Sequence, residues 1–541
     1  MEVPAAAAKP APLSRLWEGI GHRPQAAFAG FLALHFAIWT ALPTLLYANL
    51  PLDLIEALIY GRQWQLGYDK LPPLPWWLVE IAHRLFGTDV AYYALAQICV
   101  VIAFALVFAA ARPLVGAVGA LTAVLIIDGM HYFQYTAVKF NHDVVQLPFW
   151  ALAGYAFHAA LKRGRLGHWA LLGVAFGGAL WAKYFVIVLA APYVLFVLLD
   201  RQARPALATP GPWLALLVAL VIASPHVVWL FHTDFLPFAY ASHRATAVRG
   251  WFDHLLHPAM FTVSQIFFLL PSLFIAAALF WPKPKTAPLP LVGRDWGWGS
   301  RRSVASVDDY TSPPDPPPHP PPQGGRHNVD PFDRRIVTLL AFGPALAMIL
   351  LTAISGRGAV AMWGYPLWLF IGLWIVMMAR VTFDTDRIAR ITAAWATVFV
   401  IFVVVFVADY AVLPFIDHRY RAVLFPGDTL GANLTQRFHD ATGAPLRYVI
   451  GTMWDGGNLA HYSPDQPQVL IDGTPARAPW IDLADLRKNG AVVVWTQGDP
   501  AQLPAQFKGV AADATVGAPF DLPMRRGGGT VHVGWAIVRP Q

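Results

Sequence analysis

Apolar residues in this chain come in long unbroken runs rather than in alternating or heptad patterns. Stretches near 29–50, 91–111, 114–128, 144–161, 168–182, 184–199, 212–230, 261–281, 336–354, 359–379 and 391–415 are almost free of Asp, Glu, Lys and Arg. Crossing about 30 Å of hydrocarbon takes roughly 20 helical residues. The pattern therefore predicts a polytopic α-helical membrane protein of about eleven transmembrane helices, the third and fifth of them short.

Between the first two runs the period changes. Residues 53–66 and 72–86 read as amphipathic helices on the outer face: Leu54, Leu58, Trp64, Trp76, Trp77, Leu78, Ile81 and Leu85 supply apolar faces, and Arg62, Lys70, Glu80 and Arg84 polar ones. They are expected to lie in the interface plane, with their Trp residues at headgroup depth.

Two segments depart from membrane patterning. Residues 283–334, rich in Pro around Pro313–Pro322, cannot bury enough apolar surface to order themselves and read as a disordered cytoplasmic linker. Residues 416–541 shift toward soluble composition, with strand-like stretches at Leu446–Ile450, Gln468–Ile471, Ala491–Trp495 and Thr530–Val538. The expected organisation is a cytoplasmic arm (1–28), an N-terminal transmembrane module (29–282), the linker (283–334), C-terminal transmembrane helices (335–415) and a small α/β domain (416–541).

Composition agrees with this class. Of the 541 residues 57% are hydrophobic and only 13% charged, about half the charged fraction of ordinary soluble domains. The net charge of +7 does not point to nucleic acid, because Lys and Arg gather in short loops: Arg112, Lys162-Arg163, Arg201 with Arg204, Lys283 with Lys285, Arg334-Arg335 and Arg380 with Arg387. Counted along the spans, these fall on one side, which the positive-inside rule makes cytoplasmic. The Asp53 loop, the 129–143 loop, the turn at Lys183 and the C-terminal domain then share the outer face. The one cysteine, Cys99, lies inside an apolar run and cannot form an intramolecular disulfide.

Candidate chemistry sits just beyond the first run. Asp53 and Glu56, three residues apart, share a helical face, and two carboxylates held close keep one basic enough to take a proton from a hydroxyl. The same pair could instead cap the helix that begins at Leu54, and spacing alone leaves both readings open. A Gly67-Tyr68-Asp69-Lys70-Leu71-Pro72-Pro73 cluster follows.

The order of a long first span, an acidic pair outside it, a Gly-Tyr-Asp-Lys with Pro-Pro, and amphipathic helices ending in Leu85-Phe86-Gly87 resembles the bacterial family-39 glycosyltransferases. These are GT-C-fold enzymes related to protein O-mannosyltransferases and to the aminoarabinose transferase of lipid A. The resemblance continues at Asn141-His142-Asp143, Ala182-Lys183-Tyr184 and Ser224-Pro225-His226, and covers roughly residues 29–280.

It implies Asp53 as general base with Glu56 beside it, and Lys70, Lys183 and Tyr68 as ligands of a donor phosphate. Asp143, His142, Tyr184, His226 and Arg244 become candidate substrate contacts. His226, His232, His243, His254 and His257 crowd one outer loop, and Asp69 with His226 is the candidate pair for a divalent metal, without a His-x-x-x-His spacing to support it. The implied function is an inverting transfer of a sugar from a polyprenyl-phosphate donor to an outer-face lipid or envelope glycan. The implied location is a bacterial inner membrane, with the site and the C-terminal domain periplasmic. The rival classes are a transporter or flippase, whose site belongs near the bilayer midplane, and a GT-C oligosaccharide polymerase or ligase.

Overall fold

The computed structural model describes residues 12–238, 246–281 and 329–541. Arg244, His243 and nearly all of the Pro-rich segment lie outside the described residues.

The chain opens with α1 (Pro12–His22) and α2 (Pro24–Leu46), turns through the short helices α3 (Leu52–Gly61) and α4 (Leu74–Phe86), and returns into the bundle along α5 (Asp89–Asp128). It continues through α6 (His142–Arg163), α7 (Leu166–Ala182), α8 (Val186–Leu199), α9 (Pro210–His232), α10 (Asp253–Ala277), α11 (Pro331–Ser355), α12 (Ile371–Ala379) and α13 (Thr385–Val407). Among the described residues seven of these, α2, α5, α6, α9, α10, α11 and α13, are long and apolar enough to cross a membrane, and α7 and α8 are shorter apolar helices. The protein is an integral multi-pass membrane protein.

The eleven apolar runs and the helices differ in two places, each for a local reason. The runs at 91–111 and 114–128 are two arms of α5, broken at Gly116, whose φ of 72° and ψ of 173° suit glycine and strain a residue with a Cβ. The run at 359–379 makes no span-length helix: a 3₁₀ turn at Ala361–Gly364 and further turns precede the nine-residue α12. Pro366 withholds a backbone donor in the middle of that run.

Inside the bundle, polar side chains act as ties between helices. His35 of α2 meets Asp128 of α5 at 3.0 Å with both side chains fully buried, and Asp128 also accepts from Trp395 Nε1 of α13 at 2.7 Å. In hydrocarbon such groups have no water to turn to, so they hold these three helices in register. Helices α7 and α9 approach closely at Gly173 and Gly177, where an added Cβ would sit 2.5 Å from the Ala215 carbonyl oxygen and 2.7 Å from Ile222 Cβ.

The C-terminal domain comprises α14 (Gly427–Thr442), β1 (Tyr448–Gly451), α15 (Asp455–Tyr462), β2 (Gln468–Ile471), α16 (Leu483–Asn489), β3 (Ala491–Trp495), β4 (Thr515–Val516), β5 (Phe520–Pro523) and β6 (Thr530–Val538). Its sheet runs β2-β1-β3-β6-β4, with β5 also on β6. Strands β1, β2 and β3 are parallel and β6 is antiparallel, so Val493 stands between Ile450 and Ala536. Every residue of β3 is buried, which is why it reads as a continuous apolar run rather than an alternating one.

The domain sits directly on α3. Asn49 Nδ2 donates to Asn458 Oδ1 at 2.9 Å, Arg526 Nη1 donates to the Leu46 carbonyl at 2.6 Å, and Gly457 packs on Ile55 where a Cβ would come within 2.6 Å. Helix α3 is thereby enclosed, buried from Leu54 through Gly61. Helix α4 keeps Ile81, Leu85 and Phe86 exposed, as a helix in the interface plane would.

Candidate active site

Where α3, the 69–76 segment, the start of α6 and the α7–α8 turn converge, they enclose a cavity of about 490 Å³. Asp53, Glu56, Lys70, His142, Asp143, Lys183 and Tyr184, seven residues singled out from the sequence, all line it. The remaining wall is largely apolar, including Ile187, Met348, Leu351, Met362 and Trp363.

Asn141 organises the acidic side. It is the N-cap of α6, its Oδ1 accepting from the backbone N–H of Asp143 and Val144 at 3.0 and 3.2 Å. With the oxygen committed to the cap, the amide nitrogen must point away, and it donates to Asp53 Oδ2 at 2.9 Å. Asp53 itself is half-buried in the first turn of α3; the N-cap there is Pro51, and no side chain caps the helix. Thus the capping alternative does not describe this carboxylate.

Each lysine faces a carboxylate. Lys70 Nζ stands 2.5 Å from Glu56 Oε2, and Lys183 Nζ 2.5 Å from Asp143 Oδ1, which also accepts from Gln146 Nε2 at 3.0 Å. Burial raises the pKa of Glu56, and the neighbouring Lys70 acts against that shift. Lys183 lies at the extended C-cap of α7, where the helix dipole favours a cation, and its ammonium is 5.7 Å from the Phe185 and Trp363 rings. Three carboxylates and two ammoniums thus share one cavity with apolar walls.

His142 and Tyr184 complete the lining, and Tyr68, Asp69 and His226 stand behind it. Tyr68 is buried, its hydroxyl donating to the Tyr60 carbonyl at 2.5 Å and accepting from Gln65 N–H; burial raises its pKa. His142 Nε2 is 3.1 Å from the Pro72 carbonyl, which fixes that nitrogen as the donor and anchors the Pro-Pro turn on α6. His226 Nδ1 lies 2.6 Å from the Leu66 carbonyl and must donate, so Nε2 accepts from the Tyr184 hydroxyl at 2.9 Å. Asp69 accepts from Tyr60 at 2.5 Å and from Arg477 of the C-terminal domain at 2.7 Å.

The donor set does not fit a divalent cation. Asp69 carries a guanidinium, His226 spends both nitrogens elsewhere, and among the described residues no group of three or more His, Cys, Asp or Glu converges. Sequence reasoning missed Asn141 as Asp53's partner, although an Asn immediately before an apolar run is an N-cap signal. It also missed Arg477 and Trp363, which no local pattern connects to the Asp53 loop.

Residues 70–229 match the family described as dolichyl-phosphate-mannose-protein mannosyltransferase. The lipopolysaccharide core galacturonosyltransferase RgtB of Rhizobium johnstonii is 27% identical over 214 residues, which cover 39% of this chain and 43% of that relative. The match therefore spans less than half of the curated relative's length. In three dimensions the chain is similar to ArnT from Cupriavidus metallidurans bound to undecaprenyl phosphate, with a TM-score of 0.57, 13% identity and coverage of 94% of this chain and 97% of that one. The apo ArnT structure gives 0.58 at the same identity.

Proposed function

With a GT-C-fold membrane protein related to family-39 glycosyltransferases as the premise, we propose that this chain transfers a sugar from a polyprenyl-phosphate carrier to a lipid or envelope-glycan hydroxyl, with inversion at the anomeric carbon. The observation that carries the reading is the convergence of Asp53, Lys70 and Lys183 on one cavity with apolar walls. A polyprenyl-phosphate sugar needs that combination, because its phosphate sits at the membrane boundary and its tail remains in hydrocarbon. A second, apolar groove of about 670 Å³ between α8 and α11 shares Leu351 with the cavity and suits such a tail.

In this mechanism the acceptor hydroxyl gives its proton to the Asp53 carboxylate as its oxygen bonds to the anomeric carbon. The bond from that carbon to the phosphate oxygen breaks, and its electron pair leaves with the polyprenyl phosphate. Lys70 and Lys183 stabilise the departing charge more strongly than water could, because the site is largely desolvated. Asp143 orients Lys183. By the distribution of loop Lys and Arg, the site and the C-terminal domain face the periplasm of a bacterial inner membrane. The direct test presents purified protein in lipid with a panel of radiolabelled polyprenyl-phosphate sugars; failure to bind or consume any of them would remove the reading.

Two variants probe the arrangement. Asn141→Ser keeps a capping oxygen but removes the donor to Asp53, so stability should change by less than about 1 kcal/mol while transfer falls about 10- to 100-fold through misplacement of the base. Parallel thermal melts and turnover measurements check this, and a melting temperature that falls in step with activity would refute it.

Glu56 competes with the donor phosphate for Lys70. As pH falls toward the raised pKa of Glu56, the carboxylate takes up a proton and the competition ends, so donor affinity should rise toward acid pH. Glu56→Gln holds the neutral form and should bind undecaprenyl phosphate about tenfold more tightly at neutral pH, with a flatter profile. Superimposable profiles for wild type and variant, measured by binding titration, would exclude this competition.

A further inference from the structure

Asp69 stands behind the cavity, next in the chain to Lys70, and is held from two sides. Its Oδ1 accepts from the Tyr60 hydroxyl of α3 at 2.5 Å, and its Oδ2 from Arg477 Nε at 2.7 Å. Arg477 belongs to the C-terminal domain, in a 3₁₀ turn (Pro475–Arg477) that follows β2. Its other arm, Nη1, donates to Asp472, the residue just past β2, whose own backbone N–H is fixed on the Gly451 carbonyl oxygen at 2.8 Å. Asp472 has a φ of 53° and Gly473 one of 63°, so the chain turns sharply there and brings Arg477 back beside the strand end. Trp480 completes the contact, its ring edge-on to Tyr60 and Tyr68 with centroids 6.0 and 5.9 Å apart.

An ion pair of this kind can simply hold two domains together, but the C-terminal domain is already fastened to α3 and to the end of α2 through Asn458, Gly457 and Arg526. What Arg477 adds is a positive charge on Asp69. The two side chains are only 25% and 11% exposed, so solvent screens the pair weakly. The charge of Asp69 also reaches the cavity: burial is the main cause of the raised pKa of Glu56, and Asp53 and Asp69 add to it. Glu56 in turn is the carboxylate 2.5 Å from Lys70 Nζ. Resting on the donor reading proposed above, we infer that Arg477 is a positioning residue for donor binding: by cancelling the charge of Asp69 it leaves Lys70 to the carrier phosphate, and so makes the donor affinity of the membrane site depend on the docked C-terminal domain. Without Arg477, Asp69 becomes a further carboxylate beside Lys70 that draws the ammonium and repels the phosphate.

The test uses the full chain in phosphatidylcholine nanodiscs with undecaprenyl phosphate as the binding probe. A brief pulse of formaldehyde and cyanoborohydride, read at Lys70 by mass spectrometry, gives a second readout that needs no donor, because a neighbouring carboxylate keeps the amine protonated and slows its methylation. Arg477→Gln should bind undecaprenyl phosphate about tenfold more weakly than wild type and methylate Lys70 about three- to tenfold more slowly. Arg477→Gln/Asp69→Asn removes both charges and should regain most of both. Asp69→Asn alone should change the methylation rate by less than about twofold, because the charge it removes is already cancelled. Acceleration of several-fold in that variant would show that Arg477 does not cancel Asp69, a result readable even if Arg477→Gln fails to fold. Equal methylation in wild type and Arg477→Gln, or a loss that the double variant does not recover, overturns the inference. The expected order of methylation in chains that take up no undecaprenyl phosphate would uphold the link from Arg477 to Lys70 and sink the donor reading instead.

Discussion

Asp53→Asn is expected to slow sugar transfer by about 100- to 10,000-fold, the usual contribution of a positioned general base, while leaving undecaprenyl phosphate binding intact. The substitution is close to isosteric, and the Asn141 amide that donates to Asp53 Oδ2 can donate equally to an amide oxygen. Position is therefore kept and only the proton acceptor is lost. Removing a negative charge from the cavity also cannot weaken the binding of an anion, so a fall in donor affinity would mean that Asp53 holds structure rather than protons. A variant that transfers at the wild-type rate would transfer the role of base to another carboxylate, Glu56 or Asp143 being the remaining ones in the cavity.

The second large effect is expected at Lys183. Its ammonium and the Asp143 carboxylate are both buried and 2.5 Å apart. Lys183→Gln leaves a buried carboxylate with Gln146 and the α6 N-terminus as its remaining support, a change that costs about 3–5 kcal/mol in comparable pairs. Loss of activity in that variant alone would be ambiguous. The double variant Lys183→Gln/Asp143→Asn separates the causes, because it removes both charges and should recover most of the stability without recovering donor binding. Denaturant melts in detergent, read beside undecaprenyl phosphate titrations, decide the matter; a double variant that regains both would show Lys183 to be a structural counter-ion only.

The reading of Asp53 and Glu56 shows how far linear spacing carries. Their shared face on α3 is real, and Asp53 contributes to raising the pKa of Glu56. Yet their closest polar partners come from elsewhere: Lys70 for Glu56, fourteen residues on, and Asn141 for Asp53, eighty-eight residues on. The interface helices divide in the same way. Apolar periodicity identified both α3 and α4, but only docking of the C-terminal domain turned α3 into an enclosed element, with Gly457 and Asn458 pressed against it.

What the sequence determined by itself is what depends on local solvation and local backbone chemistry. Long apolar runs had to become helices in a membrane, because unpaired peptide groups have no place in hydrocarbon; the apolar runs of the last 126 residues had to form a buried sheet; and the acidic pair Asp53 and Glu56, with Tyr68-Asp69-Lys70-Leu71-Pro72 after it, marked the first break in the apolar pattern. What only the tertiary structure decided is which charges meet. Lys183 of the α7–α8 turn meets Asp143 of α6, Arg477 reaches Asp69 from the C-terminal domain, and Asp53 borders two cavities. Electrostatic pairing acts through space, and residues brought together across hundreds of positions leave no periodic trace in the chain.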